Sequence, residues 1–193
     1  MNQKDLLDVD WSKIPAPSDD GGAAHLKGMM IPPVSLLATD DRSVTLSALP
    51  GRTVVFAYPR TGEPGKIALV DDWDMIPGAR GCTPQTCAFR DLFAELKAGG
   101  ASQVFGLSTQ SNAYQTEMAS RLHLPFSVLC DEKLEMTRAL NLPTMEVAGL
   151  TMIKRLALII DDARVTHVFY PVFPPDRNAG DVLQWLKGNP IRS

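Results

Sequence analysis

The sequence predicts an α/β domain with a mixed central β-sheet flanked by helices. Three observations carry this. Strand-like and helix-like segments follow one another in the order βαβαβ(α)ββα. The run Thr53-Val54-Val55-Phe56-Ala57-Tyr58 is β-branched and aromatic throughout, as a strand covered on both faces must be. Two later runs are joined by Asp161-Asp162-Ala163-Arg164, a turn composition that makes them a hairpin.

Each element has its own signals. The first thirty-odd residues read as a lead-in, with a breaker-rich stretch from Pro15 to Gly22 that wraps the surface without regular structure. Residues 43–49 hold a short strand and turn. The 53–58 strand stops at Pro59, and a long Gly/Pro loop runs to about Gly81; loops of that length usually have a task. A helix follows, with Thr83 as cap, Pro84 at its first position, Phe89, Leu92, Phe93 and Leu96 at helical spacing, and Gly99-Gly100 as its stop. Residues 103–108 read as a strand, 112–121 as a helix, 126–129 as a short strand and 133–140 as a helix. Residues 156–160 and 165–169 form the hairpin, and 180–187 the closing helix.

The composition excludes several classes. The 193 residues suit one domain, and 45% hydrophobic with 21% charged residues is a globular profile. The net charge is −3 and the 19 basic residues are scattered, so no nucleic-acid surface is expected. No apolar run approaches the ~20 residues of a membrane span. The polar start Met1-Asn2-Gln3-Lys4-Asp5 lacks the features of a signal peptide, so a cytoplasmic location is expected.

The chemistry lies in the cysteines. Of Cys82, Cys87 and Cys130, the first stands at the start of a helix, beyond the end of a strand. Free N–H groups and the positive end of the helix dipole there stabilise a thiolate. Cys87 lies five residues on, about 7.5 Å along a helix axis. A disulfide needs Cα atoms within about 7 Å, so the pair bonds only after the first turns unwind. The chemistry this permits is oxidation of Cys82 to a sulfenic acid, resolved by Cys87. Zinc would need further ligands, and His25, His123 and His167 are scattered, so no metal is expected. Cys130 reads as structural.

The segment Gly81-Cys82-Thr83-Pro84-Gln85-Thr86-Cys87-Ala88-Phe89-Arg90-Asp91 resembles the active-site helix of peroxiredoxins, closest to the bacterioferritin-comigratory-protein or Q subgroup. Val104 to Thr109, Leu124 to Asp131 and Lys154 to Asp161 resemble three further segments of that family, in order, and Gly28 to Val34 with Leu46 and Leu49 resembles its opening segment. The likeness spans about residues 28–188. It implies a thioredoxin-like fold in a single domain over 28–193, after a lead-in of 1–27. It implies reduction of hydrogen peroxide or organic hydroperoxides without a cofactor. Cys82 would be the peroxidatic and Cys87 the resolving cysteine, a thioredoxin-like dithiol protein the reductant, and the protein a monomer or weak dimer. Arg155 matches the family's active-site arginine; a fixed guanidinium there favours the thiolate and the charge developing on the peroxide.

One departure stands out. The family's P-x-x-x-T/S-x-x-C motif would place Pro at Met75 and Thr at Ala79. Tyr58-Pro59-Arg60-Thr61 instead follows the first long strand. Cys82 stands 23 residues after Pro59 (82 − 59), where the motif has seven, so 16 residues are inserted, at about 62–78. Two sources of the substrate-binding groups are open. Pro59 and Thr61 fold back beside Cys82 and Gly81, with Arg80 as a nearby cation, which is the favoured reading. Otherwise the insertion supplies Asp72, Asp74 or backbone amides around Pro77-Gly78-Ala79-Arg80. The altered motif also leaves two other classes: a thioredoxin-like disulfide oxidoreductase or redox sensor with weak peroxidase activity, and a binding module.

Overall fold

The computed structural model describes residues 9–191. In chain order the strands are β1 (Ser35–Ala38), β2 (Ser43–Thr45), β3 (Arg52–Ala57), β4 (Gln103–Ser108), β5 (Val128–Cys130), β6 (Thr144–Val147), β7 (Leu150–Ile153), β8 (Leu156–Asp161) and β9 (Arg164–Phe169). The helices are α1 (Cys82–Asp91), α2 (Phe93–Ala98), α3 (Asn112–Arg121), α4 (Glu135–Leu140) and α5 (Asn178–Gly188).

Seven of these strands form one mixed sheet in the order β2-β1-β5-β4-β3-β8-β9. The all-apolar run is its middle: β3 is buried at every residue. It runs parallel to β4, with Val55 opposite Phe105. It runs antiparallel to β8, with Val55 opposite Leu158. Alternation along β3 divides its side chains between two cores, as the period of two requires. Val55 and Ala57 join Leu107, Leu129, Met136 and Leu158 on one face. Val54 and Phe56 join Phe89, Leu96, Met118 and Val182 on the other. There the Phe56 and Phe89 rings stack at 4.0 Å, and Phe126 meets Phe56 edge-on at 5.6 Å. Each such fully buried side chain stabilises the fold by about 1.5–3 kcal/mol. Phe56 and Phe89 therefore press α1 onto the sheet and fix where its N-terminus stands.

Several boundaries differ from the sequence reading. The long helix after Cys82 is two helices, because Leu92 leaves helical geometry at φ −98°, ψ 11°. The apolar spacing carries across that bend, which conceals it. The helix also starts one residue before the expected Thr83 cap. Gly81, at φ 104°, is its N-cap and Cys82 its first residue; Pro84 is the third. The strand expected at 126–129 is Val128–Cys130, and the helix expected from Lys133 starts at Glu135, after Leu134 in the left-handed region. The β6–β7 hairpin has no counterpart in the sequence reading. Its turn is Ala148-Gly149, both at positive φ, and an alanine in that conformation gives no turn signal. The Asp161–Arg164 hairpin stands as expected, with Asp162 and Ala163 at positive φ.

The long loop after β3 is held by a small core of its own. Its 3-10 turn Trp73–Met75 buries Trp73 against Ala79 and against Val147 and Met152 of the β6–β7 hairpin. From the lead-in, the described residues contribute Trp11, whose indole Nε1 donates to Asp176 Oδ2 at 2.9 Å. A Cβ on Gly81 would lie 2.6 Å from Pro175 Cγ and 2.7 Å from the Trp11 ring. Gly81→Ala therefore meets both left-handed strain and overpacking. The expected loss of stability is about 2–4 kcal/mol, checked by denaturant unfolding of the reduced protein.

Candidate active site

The first turn of α1 sets the site. Its first intrahelical bond runs from the Gln85 N–H to the Gly81 carbonyl at 3.0 Å. The N–H groups of Cys82 and Thr83 precede that ladder, and Pro84 has none to offer. They leave the positive end of the helix beside the Cys82 sulfur. The Thr86 hydroxyl donates back to the Cys82 carbonyl at 2.9 Å and ties the turn together.

Arg155, in the step between β7 and β8, reaches this turn from the sheet. Its Nη2 donates to Cys82 Sγ at 3.3 Å. The same nitrogen meets the carbonyls of Gly78, Ala79 and Arg80 at 3.0–3.2 Å. Nη1 donates to Gln85 Oε1, and Gln85 Nε2 donates to Asn178 Oδ1 at 2.9 Å. Arg155 is 2% exposed, and Gln85 and Asn178 are as deeply buried. Among the described residues no carboxylate pairs with Arg155; its buried charge faces neutral oxygens and a sulfur. A buried cation without a counter-ion is costly, and the Cys82 sulfur lies within its reach. Cys82 Sγ also lies 3.5 Å from the Ala79 carbonyl, to which the neutral thiol can donate.

The other sequence candidates fall at different distances from this centre. Thr61 lines the same cavity as Gly81 and Cys82. Its amide and its hydroxyl both donate to Gln110 Oε1, at 2.9 and 3.1 Å, which leaves the hydroxyl lone pairs as acceptors. Its carbonyl accepts from the Tyr114 hydroxyl at 3.1 Å. Pro59 lines a separate cavity with Thr109 and Leu150, and its carbonyl accepts from Ser108 Oγ. Asp72 is exposed, and Asp74 pairs with Arg80 at 3.3 Å. The stretch around Gly78-Ala79-Arg80 turns carbonyls, not the expected amides, toward the site, because the Arg155 donors need acceptors. Gln85, Asn178 and Gln110 were missed by sequence reasoning. Amides have no spacing signature, and Asn178 is 93 residues from its partner.

Cys87 sits on the core side of α1, among Phe56, Phe89 and Met118. Burial pushes its thiol above the ordinary value, and the nearby Arg90 only partly offsets this. Cys130 is pushed up to about 11 by burial, despite a hydrogen bond from Gln115. Tyr58 is raised further by complete burial and by the Cys82 charge; its hydroxyl donates to Gln115 at 2.9 Å.

Comparisons with known proteins fit this geometry. The family model described as Redoxin matches residues 26–183. Peroxiredoxin Q, chloroplastic, of Oryza sativa subsp. japonica is 31% identical over 163 residues, covering 83% of this chain. The chain spans 66%, just under two thirds, of that relative's length. Peroxiredoxin Q, chloroplastic, of Sedum lineare is 30% identical and covered to 77%, again over 83% of this chain. Among solved structures, peroxidoxin BcpB from Mycobacterium tuberculosis superposes with TM-score 0.67 at 26% identity, covering 88% of this chain and all (100%) of its own. Peroxiredoxin Q of Xanthomonas campestris, at 19% identity and TM-score 0.64 over 91% and 97% of the two chains, shares the fold. Among the described residues no helix is long and apolar enough to cross a membrane.

The buried thiols set a pH dependence. A thiol whose folded value is raised loses its proton at lower pH when unfolded, so the unfolded state binds fewer protons as pH rises. The stability tied to Cys130 is full below its ordinary value of 9.0 and is lost as pH rises from there through about 11. Denaturant unfolding should show stability falling between those limits, and Cys130→Ala should flatten the fall.

Proposed function

The chain belongs to the redoxin family, on its peroxiredoxin Q branch, and from that premise we propose that it is a thiol-dependent peroxidase working through Cys82. The observation that carries the reading is the buried, carboxylate-free guanidinium of Arg155, 3.3 Å from Cys82 Sγ. It favours the thiolate before reaction and steadies the oxygen anion that forms during it.

The steps balance without a cofactor. The Cys82 thiolate attacks the terminal oxygen of the hydroperoxide and the O–O bond breaks. The departing oxygen takes a proton and leaves as an alcohol or water, and Cys82 becomes a sulfenic acid. Thr61 Oγ1 accepts a hydrogen bond from the bound hydroperoxide, and the N–H groups at the start of α1, after Gly81, hold the leaving oxygen. Pro59 acts from behind by shaping the turn that carries Thr61.

The Cys87 thiolate then attacks Cys82 Sγ, a disulfide forms and water leaves. A thioredoxin-like dithiol protein reduces the disulfide by exchange. The protein works as a monomer or weak dimer in the cytoplasm. Both cysteines lie within the intact α1, so the resolving step requires that helix to open. Its start is held by Pro175 and Trp11 packed over Gly81 and by the hydrogen bonds of Cys82 and Gln85 to Arg155 and Asn178, and opening the helix breaks these contacts.

Peroxide consumption with a dithiol reductant tests the reading. Cys82→Ser is expected to abolish turnover, and Arg155→Met to slow it about 100-fold or more. Unchanged turnover in either variant overturns it. A second measurement tests resolution. Trp11→Ala should speed the appearance of the Cys82–Cys87 disulfide after a peroxide pulse about three- to tenfold, followed by mass spectrometry of quenched samples; Cys87→Ser should show no such linkage.

A further inference from the structure

The insertion separates two groups that the cysteine motif otherwise keeps together. In P-x-x-x-T/S-x-x-C the hydroxyl stands three residues before the cysteine. Here Thr61 stands 21 residues before Cys82 (82 − 61), so no short turn fixes it beside the sulfur. Yet Thr61 is 1% exposed and lines the Cys82 cavity.

What holds it there is an extension of the β3–β4 pairing made by side chains. β3 ends at Ala57 and β4 at Ser108, but the two chains stay joined beyond both ends. The Tyr58 N–H donates to the Leu107 carbonyl at 3.2 Å, and Ser108 Oγ donates to the Pro59 carbonyl at 3.2 Å. At the next step the Gln110 side chain stands in for a strand. Its amide offers an acceptor and donors, as a peptide group does. Oε1 accepts from the Thr61 N–H at 2.9 Å, and Nε2 donates to the Thr61 carbonyl at 3.4 Å. Gln110 is 6% exposed. Its own N–H donates to Ser108 Oγ, and its carbonyl accepts from the buried Gln115 amide. Bonds among groups so buried are costly to leave unmade.

A third bond sets the chemistry. The Thr61 N–H can only donate, so it fixes Oε1 as the end of the amide that faces it. That oxygen also accepts from Thr61 Oγ1 at 3.1 Å. The hydroxyl proton is thereby committed, and the lone pairs are left for an incoming O–H. Gln110 lines the neighbouring cavity with Pro59, so it stands behind Thr61 and acts through it.

We propose that Gln110 is the positioning residue for the substrate-binding hydroxyl of Thr61, taking over the task that three-residue spacing performs in the uninterrupted motif. This rests on the peroxidase reading above, in which Thr61 receives the hydroperoxide.

The test measures two second-order rate constants at Cys82, oxidation by hydrogen peroxide and alkylation by iodoacetamide, each followed by mass spectrometry of quenched samples. Gln110→Met keeps the length of the side chain and removes the amide. It should slow oxidation about tenfold or more and leave alkylation within about twofold, because Arg155 and the helix start are untouched. Gln110→Asn keeps a polar group among these partners but draws the amide back by one methylene, and should slow oxidation in the same sense. In a Thr61→Val background, Gln110→Met should add no more than about a twofold loss, since the two residues act as one unit. Unchanged oxidation in both Gln110 variants overturns the proposal. So does a parallel loss of alkylation, which marks a general structural role, and so do losses that multiply in the double variant. A wild-type protein that consumes no hydroperoxide removes the peroxidase reading and this proposal with it. Brisk turnover by wild type and Thr61→Val alike removes this proposal alone.

Discussion

The burial of the Arg155 guanidinium against the first turn of α1 is the constraint on which the site depends. A charge in so dry a place needs hydrogen-bond acceptors on every side it can reach. The structure answers at Nη1 and Nη2 with three consecutive carbonyls from Gly78 to Arg80, the Gln85 amide and the Cys82 sulfur, while Nε has no hydrogen-bond partner among the described residues. To bring those carbonyls within reach, the end of the insertion must turn back on itself before α1, and Gly78 and Gly81 take positive φ to do so. The position of Cys82 and the shape of the chain before it are thus two consequences of satisfying one cation.

The same packing sets a conflict within α1. Its outer end sets Cys82 beside Arg155, while its inner face, with Cys87 and Phe89, closes the core over Phe56. Holding Cys82 at the helix start keeps it next to Arg155 and away from Cys87. Disulfide chemistry between them needs the opposite arrangement. The turn is pinned by Trp11 and Pro175 over Gly81 and by the hydrogen bonds that join Cys82 and Gln85 to Arg155 and Asn178. Burial also pushes the Cys87 thiol above its ordinary value.

The insertion shows how a familiar thiol site acquires a different surrounding. It docks Trp73 onto the β6–β7 hairpin, and at Thr61, just before it, the chain is tied to Gln110 and to Tyr114 of α3. Both anchors lie outside α1, while the insertion's end at Gly78 shares Arg155 with Cys82.

The sequence by itself determined the layers, the central strand and the placing of Cys82 at the start of α1. Burial on both faces demands an unbroken apolar run such as 53–58, and a thiolate demands a helix start, so these features are local in the chain. The cysteine motif and the segments that resemble peroxiredoxins were legible for the same reason, and they pointed to Arg155. The tertiary structure alone decided which groups surround Cys82. It put Gln85 and Asn178 on Arg155 across long stretches of chain and turned carbonyls rather than amides inward. It also brought Thr61 to the Cys82 cavity while leaving Pro59 behind it. The hairpin at Ala148-Gly149 and the break at Leu92 were likewise hidden. Side-chain amides, backbone carbonyls and single residues in unusual conformations have no periodicity. Their partners are chosen by the cost of leaving buried polar groups unpaired, which acts across the chain only once it has folded.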